Sequence, residues 1–273
     1  MDNVKSKMLV AALLVSAAAC NKQPDAPSAP AAEAGISGTW KADLGSVQID
    51  QKPDAYLVKD GQYSCESCTP KVAVAADGAF HPVSGSPYYD STAVKVVDDH
   101  TITRTNKMAD KVIGETTLAV AADGQMFTGT FKDTSTPDAP PVTGKYTEAR
   151  VAPAPAGAHA ISGSWKPAKY ENVSDEGLIV TFNQQGDTFS MSSPAGQSYT
   201  AKLDGTDAPI KGDTTGAVAS VERVSANVYR ETDKRDGKVI GVATMTVGAD
   251  GKLNVVFDNK ERGSTTKYTA IKQ

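Results

Sequence analysis

Aromatic residues, histidine and cysteine are scarce in this chain, which narrows the chemistry that it can perform. Phe, Trp and Tyr make up 6% of the 273 residues, and there are three histidines and three cysteines. Outer-membrane β-barrels carry aromatic girdles, so the low aromatic content argues against that class. Serine-hydrolase, phosphate-binding and zinc-protease motifs are also missing from the sequence. We therefore expect a protein that is not an enzyme and that has no cofactor or bound metal.

Basic runs are missing after the first seven residues, and the net charge is −4. Proteins that bind nucleic acid neutralise its phosphates with clustered Lys and Arg. The charge balance therefore predicts that nucleic acid is not a partner.

The start of the chain has the pattern of a secretory signal. Lys5 and Lys7 precede an apolar run, Met8–Ala19, whose last residues are small. This run has 12 residues, too few to cross the ~30 Å hydrocarbon core of a bilayer as a helix. We therefore expect the chain to be exported.

Residues 16–20 (SAAAC) resemble the bacterial lipobox. The resemblance implies that residues 1–19 are a lipoprotein signal peptide and that Cys20 carries acyl chains such as palmitate, which anchor the protein to a membrane. Asn21 after the cysteine favours the outer membrane, with the protein facing the periplasm. The alternative is a plain signal peptide whose cleavage site lies near a cysteine.

The rest of the chain contains an internal repeat. Lys111–Gly124 recurs as Lys238–Gly251 with nine of fourteen positions identical, a shift of 127 residues. Ile36–Lys41 recurs as Ile161–Lys166, and each of these two segments contains one of the two tryptophans of the chain. The two halves are therefore predicted to be versions of one module.

Two Ala- and Pro-rich stretches separate the predicted parts. Residues 20–35 predict a flexible, disordered tether and residues 151–160 a linker, because proline interrupts a sheet and such stretches bury little apolar surface. The first repeat then covers residues 36–150, and the second covers residues 161–273.

Both repeats have the pattern of antiparallel β-sheet. Thr117–Val120 and Thr244–Val247 alternate polar and apolar residues, as half-buried strands do. Asp-Gly pairs, which suit type I′ hairpin turns, separate many of the strand-like runs. We predict an all-β fold of two tandem meander barrels with about eight strands each, because closure removes the exposed edges of a sheet.

The Gly-x-Trp opening at Trp40 and Trp165 resembles that of lipocalins and the wider calycin group, and most of both repeats is similar to uncharacterised bacterial exported lipocalin-like proteins. The resemblance implies that each tryptophan closes the floor of a barrel and that a basic residue of the last strand lies across it. Lys145 and Lys267 are the candidates for that basic residue. The resemblance implies a fold and no activity.

Cys65 and Cys68 form a Cys-x-x-Cys pair in a predicted hairpin. A structural disulfide in an oxidising envelope is the favoured interpretation, with redox chemistry and metal binding as alternatives. A redox motif of this spacing needs a helix N-terminus, and a zinc site needs two further ligands.

The other candidate catalytic residues are isolated. At the shift of 127 residues His81 and His100 match no second histidine, and His159 lies in the linker. Ser264 and Lys267 fit the Ser-x-x-Lys motif of penicillin-recognising enzymes, which place it at a helix start, whereas here it enters a predicted strand. We interpret these residues as non-catalytic.

These observations predict a lipid-anchored envelope protein that binds a small apolar ligand inside a barrel. A barrel of about eight strands can either be filled by side chains or hold one small molecule. The alternative is an interaction or structural protein that binds another envelope protein or cell-wall polymer, since two linked weak sites raise avidity.

Overall fold

The structure, a computed structural model, describes residues 35–273. The predicted signal peptide, Cys20 and nearly all of the predicted tether lie outside the described residues. The described chain is almost wholly β, as predicted. Its two 3-10 helices are single turns, Leu44–Ser46 and Asp175–Gly177. Its strands are β1 Gly38–Ala42, β2 Gln48–Asp50, β3 Asp54–Lys59, β4 Gln62–Cys65, β5 Val72–Ala75, β6 Asp77–Pro82, β7 Ser91–Val96, β8 Thr101–Met108, β9 Lys111–Val120, β10 Met126–Asp133, β11 Val142–Ala152, β12 Gly163–Glu171, β13 Ile179–Gln185, β14 Thr188–Ser192, β15 Ser198–Lys202, β16 Ala208–Pro209, β17 Val218–Ser225, β18 Val228–Arg235, β19 Lys238–Val247, β20 Leu253–Asn259 and β21 Ser264–Lys272.

The strands form two nearly closed antiparallel barrels, which confirms the predicted tandem architecture. The first barrel has the strand order β5-β4-β3-β12-β11-β10-β9-β8-β7-β6, and the second has the order β15-β14-β13-β1-β21-β20-β19-β18-β17-β16, with β2 beside β21. Each path contains ten strands, where about eight were predicted. Some strands are very short, such as β16 with two residues, and carry too little periodicity to be recognised in the sequence.

The predicted Asp-Gly turns form where two long strands meet. Asp60 and Gly61 both have positive φ, 50° and 72°, and so do Asp236 and Gly237, 49° and 73°. A type I′ hairpin turn requires this pair of conformations. The pair at 77–78 is different, because it lies inside β6 at an irregularity in the pairing with β7.

The opening strands of the two repeats are exchanged between the barrels. β1, from the first repeat, lies between β13 and β21 of the second barrel, where Trp40 pairs with Val180 and Lys272. β12, from the second repeat, lies between β3 and β11 of the first barrel. The ranges 36–150 and 161–273 describe the repeat in the sequence, but neither range contains every strand of one barrel.

The connection between the repeats gives a physical reason for the exchange. β11 and β12 are consecutive in the chain, and consecutive strands tend to be neighbours in a sheet. The Pro- and Ala-rich linker between them is therefore a hairpin connection of the first barrel. β12 takes the place that β1 would otherwise occupy, and β1 completes the second barrel, which it fits because both strands carry the same motif. The chain passes between the barrels at residues 51–53 and 172–178.

Candidate functional site

Each exchanged strand buries its tryptophan in the barrel that it enters. Trp40 is 1% exposed and Trp165 is fully buried. The indole Nε1 of Trp40 donates to the carbonyl of Ile36 at 2.7 Å, and that of Trp165 donates to the carbonyl of Ile161 at 2.8 Å. A buried indole N–H needs one acceptor, and the repeated motif supplies it in the same way twice.

A basic side chain from the last strand of each barrel lies across the indole. The guanidinium carbon of Arg150 is 3.9 Å from the ring centroid of Trp165, and Nζ of Lys272 is 5.4 Å from that of Trp40. These distances are within the range of cation–π attraction. The arrangement expected from the calycin resemblance therefore occurs in both barrels, with different basic residues from those predicted.

The predicted cations, Lys145 and Lys267, are exposed and do not lie over the indoles. Each lysine precedes a buried tyrosine, Tyr146 or Tyr268, so the alternation of a strand turns the lysine outward. The cation stands five residues later in the strand in both barrels. Ser264 begins β21, so the Ser-x-x-Lys match lies in a strand and not at a helix start.

The glycine of each Gly-x-Trp motif makes room for the cation. Gly38 and Gly163 have φ of +137° and +114°, which residues with a Cβ rarely adopt. A Cβ at Gly163 would lie 2.8 Å from Nη1 of Arg150, and a Cβ at Gly38 would overlap the side chain of Lys272. The motif therefore requires glycine for both backbone conformation and space.

Arg150 also connects three backbone segments of the first barrel. Its guanidinium donates to the carbonyls of Gly124, Ala160 and Ser162 at 2.5, 2.6 and 2.7 Å. Partial burial lowers the pKa of Arg150 from its usual value. The side chain thus ties the β9–β10 turn to the linker and to the residues before β12.

Aromatic side chains fill the first barrel. Phe127 lies edge-on to Trp165 and to Tyr146, with ring centroids 4.9 and 5.9 Å apart. The ring of Tyr146 lies directly on Gly129, where a Cβ would overlap it. Three more buried tyrosines belong to this repeat, namely Tyr56, Tyr63 and Tyr89.

A buried arginine also lies in the first barrel. Arg104 is 5% exposed, its Nε donates to Oδ1 of Asn106 at 3.3 Å, and its guanidinium carbon is 5.6 Å from the ring centroid of Tyr89. Burial raises the pKa of Tyr146 well above its usual value, the buried carboxylate of Glu148 raises it further, and Arg104 opposes the shift. The first barrel therefore contains its own internal cation.

The second barrel is hollow. It contains a cavity of about 230 Å³, larger than the ~150 Å³ apolar cavity that can hold benzene. Most of the deep lining is apolar, since it includes the buried side chains of Leu178, Phe182, Ala243, Met245 and Val255. The cavity thus has the walls expected of a small-molecule site.

Two carboxylates of β18 line this cavity, Glu231 and Asp233. The hydroxyl of Tyr199 donates to Oε2 of Glu231 at 2.7 Å. Burial, together with the nearby charge of Glu231, raises the pKa of Tyr199 and of Tyr268 well above the usual value. Both phenols therefore stay protonated at neutral pH.

Charged side chains bridge the two barrels where the cavity meets the first one. Arg235 donates to the hydroxyl of Tyr88 at 2.7 Å and lies 3.3 Å from the carboxylate of Glu261. Arg262 donates to Oδ1 of Asp54, a buried residue of β3, at 2.8 Å. Both arginines that line the cavity are thus engaged with groups of the protein.

The β10–β11 loop of the first barrel forms part of the cavity wall. Thr136 and Pro140 of this loop line the cavity. The loop packs closely on two glycines of the second barrel: a Cβ on Gly196 would lie 2.7 Å from Cβ of Ala139, and one on Gly212 would lie 3.2 Å from Cγ2 of Thr136. The cavity is therefore a joint product of both repeats.

A second cleft, of about 390 Å³, lies between the segment from Leu44 to Ile49 and the segment from Pro167 to Asn172. Most of its lining residues are exposed or half-buried, so it is a groove at the surface. The barrel cavity is the better candidate for a ligand site, because buried side chains form its walls.

A few equivalent positions make one barrel filled and the other hollow. At the shift of 127 residues, Arg104 corresponds to Glu231. Phe127 pairs with Val120, whereas Leu253 pairs with Val247, the equivalent of Val120. The sequence analysis missed Glu231 as a site residue. Its signal was the charge reversal between the repeats at an inward-facing position of a strand.

Cys65 and Cys68 form the predicted disulfide. Cys65 is fully buried and Cys68 is 8% exposed, and the pair follows β4 and precedes β5, with no helix between them. Within residues 35–273 no group of three or more His, Cys, Asp or Glu side chains is placed to hold a metal ion.

The histidines take part in local hydrogen bonds. Nε2 of His81 lies 2.9 Å from Oδ1 of Asp77, and this bond lowers the pKa of that carboxyl. Nε2 of His159 is 2.7 Å from the carbonyl of Asp98, whose carboxylate accepts from the amide of His100. The three histidines therefore lie at separate turns and do not form one site.

No helix in the described part of the chain is long and apolar enough to span a membrane. Comparison of the chain with protein-family models, with curated proteins and with solved structures finds no match.

Proposed function

We propose that this protein is a non-enzymatic, lipid-anchored envelope protein that carries a small ligand in its second barrel. The observation that supports carriage is the contrast between the barrels, since the second keeps a cavity of about 230 Å³ where the first is filled by aromatic rings. Apolar space that side chains leave unfilled costs stability, because its walls lose contacts. Scaled from benzene, the cavity accepts roughly ten non-hydrogen atoms.

Ala243→Phe should remove ligand binding. Ala243 is 5% exposed and lines the cavity from β19, and a phenyl ring would take most of the space, since benzene occupies a cavity of ~150 Å³. The measurement is native mass spectrometry of protein purified from its own envelope. We expect a bound small molecule in the wild-type chain and none in the variant.

Val239→Phe is the matched control, because Val239 lies on the same strand and is 43% exposed. This variant should keep the ligand. A wild-type chain without a small molecule, or an Ala243→Phe chain that retains it, would contradict carriage in this cavity. A co-purifying envelope protein in place of a small molecule would favour the interaction alternative.

Cys20→Ala should release the protein from the membrane fraction into the soluble periplasmic fraction. Stable anchoring takes two acyl chains, because a single chain binds only marginally, and the substitution removes the residue that would carry them. The measurement is cell fractionation followed by immunoblotting. A Cys65→Ser variant serves as the control and should stay with the membranes. If Cys20→Ala still fractionates with membranes, the lipobox interpretation is wrong.

A further inference from the structure

The cavity of the second barrel has more acidic than basic groups in its lining. Its described lining contains two basic residues, Arg235 and Arg262, which pair with Glu261 and Asp54. Cations of the protein therefore offset only part of the negative charge around the cavity. The acidic lining residues are Asp133, Glu176, Asp213, Glu231, Asp233 and Glu261.

The two carboxylates on β18 have small neighbours. Glu231 is paired with Ala243 and Asp233 with Gly241 on β19, so the adjacent wall leaves room beside both carboxylates. Asp233 is 8% exposed. A carboxylate removed from water is costly unless a cation or several donors compensate it, so the wall at this point favours a partner that brings positive charge.

The first barrel shows the opposite charge at the same place in the repeat. Arg104 occupies the position equivalent to Glu231 and is buried in the interior. The filled barrel thus has an internal cation from its own sequence, whereas the hollow barrel has an internal anion. A ligand cation would supply to the second barrel the charge that the first barrel supplies for itself.

We propose that the second barrel selects a small organic cation, a molecule with an apolar body and one protonated amine or guanidinium group. The inference rests on the proposed function, namely that this cavity holds a ligand. The N–H groups of the ligand would donate to Glu231 and Asp233, and its apolar body would contact the aliphatic wall that includes Met245 and Val255. A carboxylate ligand of the same size would be repelled.

Three six-carbon probes of different charge test the proposal by isothermal titration calorimetry on the full chain at pH 7. Hexylammonium should bind about tenfold or more tightly than hexan-1-ol, because hydrogen bonds between charged groups are roughly twice as strong as neutral ones. Hexanoate should bind most weakly. Glu231→Gln should reduce the preference for hexylammonium over hexanol to about threefold or less, while the amide oxygen can still accept from Tyr199.

Glu222→Gln is the control, because Glu222 is an exposed carboxylate of the same barrel, and it should keep the full preference. Equal binding of hexanol and hexylammonium to the wild-type chain would overturn the cation selectivity and leave ligand carriage standing. An equal loss of preference in both variants would also overturn the assignment to Glu231. If none of the three probes binds, both this inference and carriage of a ligand of this size fail.

Discussion

A chain with cysteine at positions 39 and 181 should form a disulfide between them under mild oxidation, in a Cys20→Ala background. Thr39 pairs with Thr181 across β1 and β13, and their hydroxyl oxygens are 2.9 Å apart. The two positions are 142 residues apart, and a cross-link closing ~100 residues is expected to stabilise a protein by about 5 kcal/mol. We expect faster migration on a non-reducing gel and a higher melting temperature.

A second cysteine pair, Thr39→Cys with Ala55→Cys, tests the arrangement without strand exchange. In the first barrel Ala55 pairs with Ser164, which is the repeat equivalent of Thr39. Thr39 would lie beside Ala55 only if each repeat kept its own opening strand, so we expect no cross-link. Efficient bonding of positions 39 and 55, with none between 39 and 181, would show that the strands are not exchanged.

Arg150→Ala should destabilise the protein far more than Lys272→Ala, although both side chains lie over a tryptophan. Arg150 donates to three carbonyl groups and lies 3.9 Å from the centroid of Trp165. Hydrogen bonds to a charged group contribute about 1.5–3 kcal/mol each, but neighbouring contributions are not additive. We expect a loss of about 3 kcal/mol in the free energy of unfolding, measured by urea denaturation.

Lys272 is exposed and its Nζ is 5.4 Å from the centroid of Trp40, so its removal should cost about 0.5 kcal/mol, the value for an exposed cation–π pair. Arg150→Lys is a further control. It keeps the charge but loses the planar fork that reaches several acceptors, so it should recover less than half of the loss. Equal effects of Arg150→Ala and Lys272→Ala would contradict the role assigned to Arg150.

Local patterns in the sequence were enough for much of the fold. Alternating residues predict strands, and the Asp-Gly pair at 60–61 adopts the turn that its chemistry favours. The repeated Gly-x-Trp motif predicts two related modules, and the close spacing of Cys65 and Cys68 predicts their disulfide. These features depend on neighbours in the chain, so no knowledge of distant contacts is needed to find them.

The ring cations show where local reasoning stopped. The sequence places several basic residues in the last strands, and alternation excludes Lys145 and Lys267 once the buried face is known. Only the packed barrel shows that Arg150 and Lys272 reach the indoles, because each lies against a motif glycine that is distant along the chain.

The sequence by itself determined that the chain is an all-β tandem repeat with turns, tryptophan anchors and a local disulfide at stated positions. The tertiary structure decided which opening strand completes which barrel, since Ile36–Lys41 and Ile161–Lys166 are nearly the same and can pair with either set of neighbours. It also decided which barrel is hollow. The volume left inside a barrel is the difference between the space that its strands enclose and the summed volume of all inward side chains, and that sum runs over residues brought together only by the closed sheet.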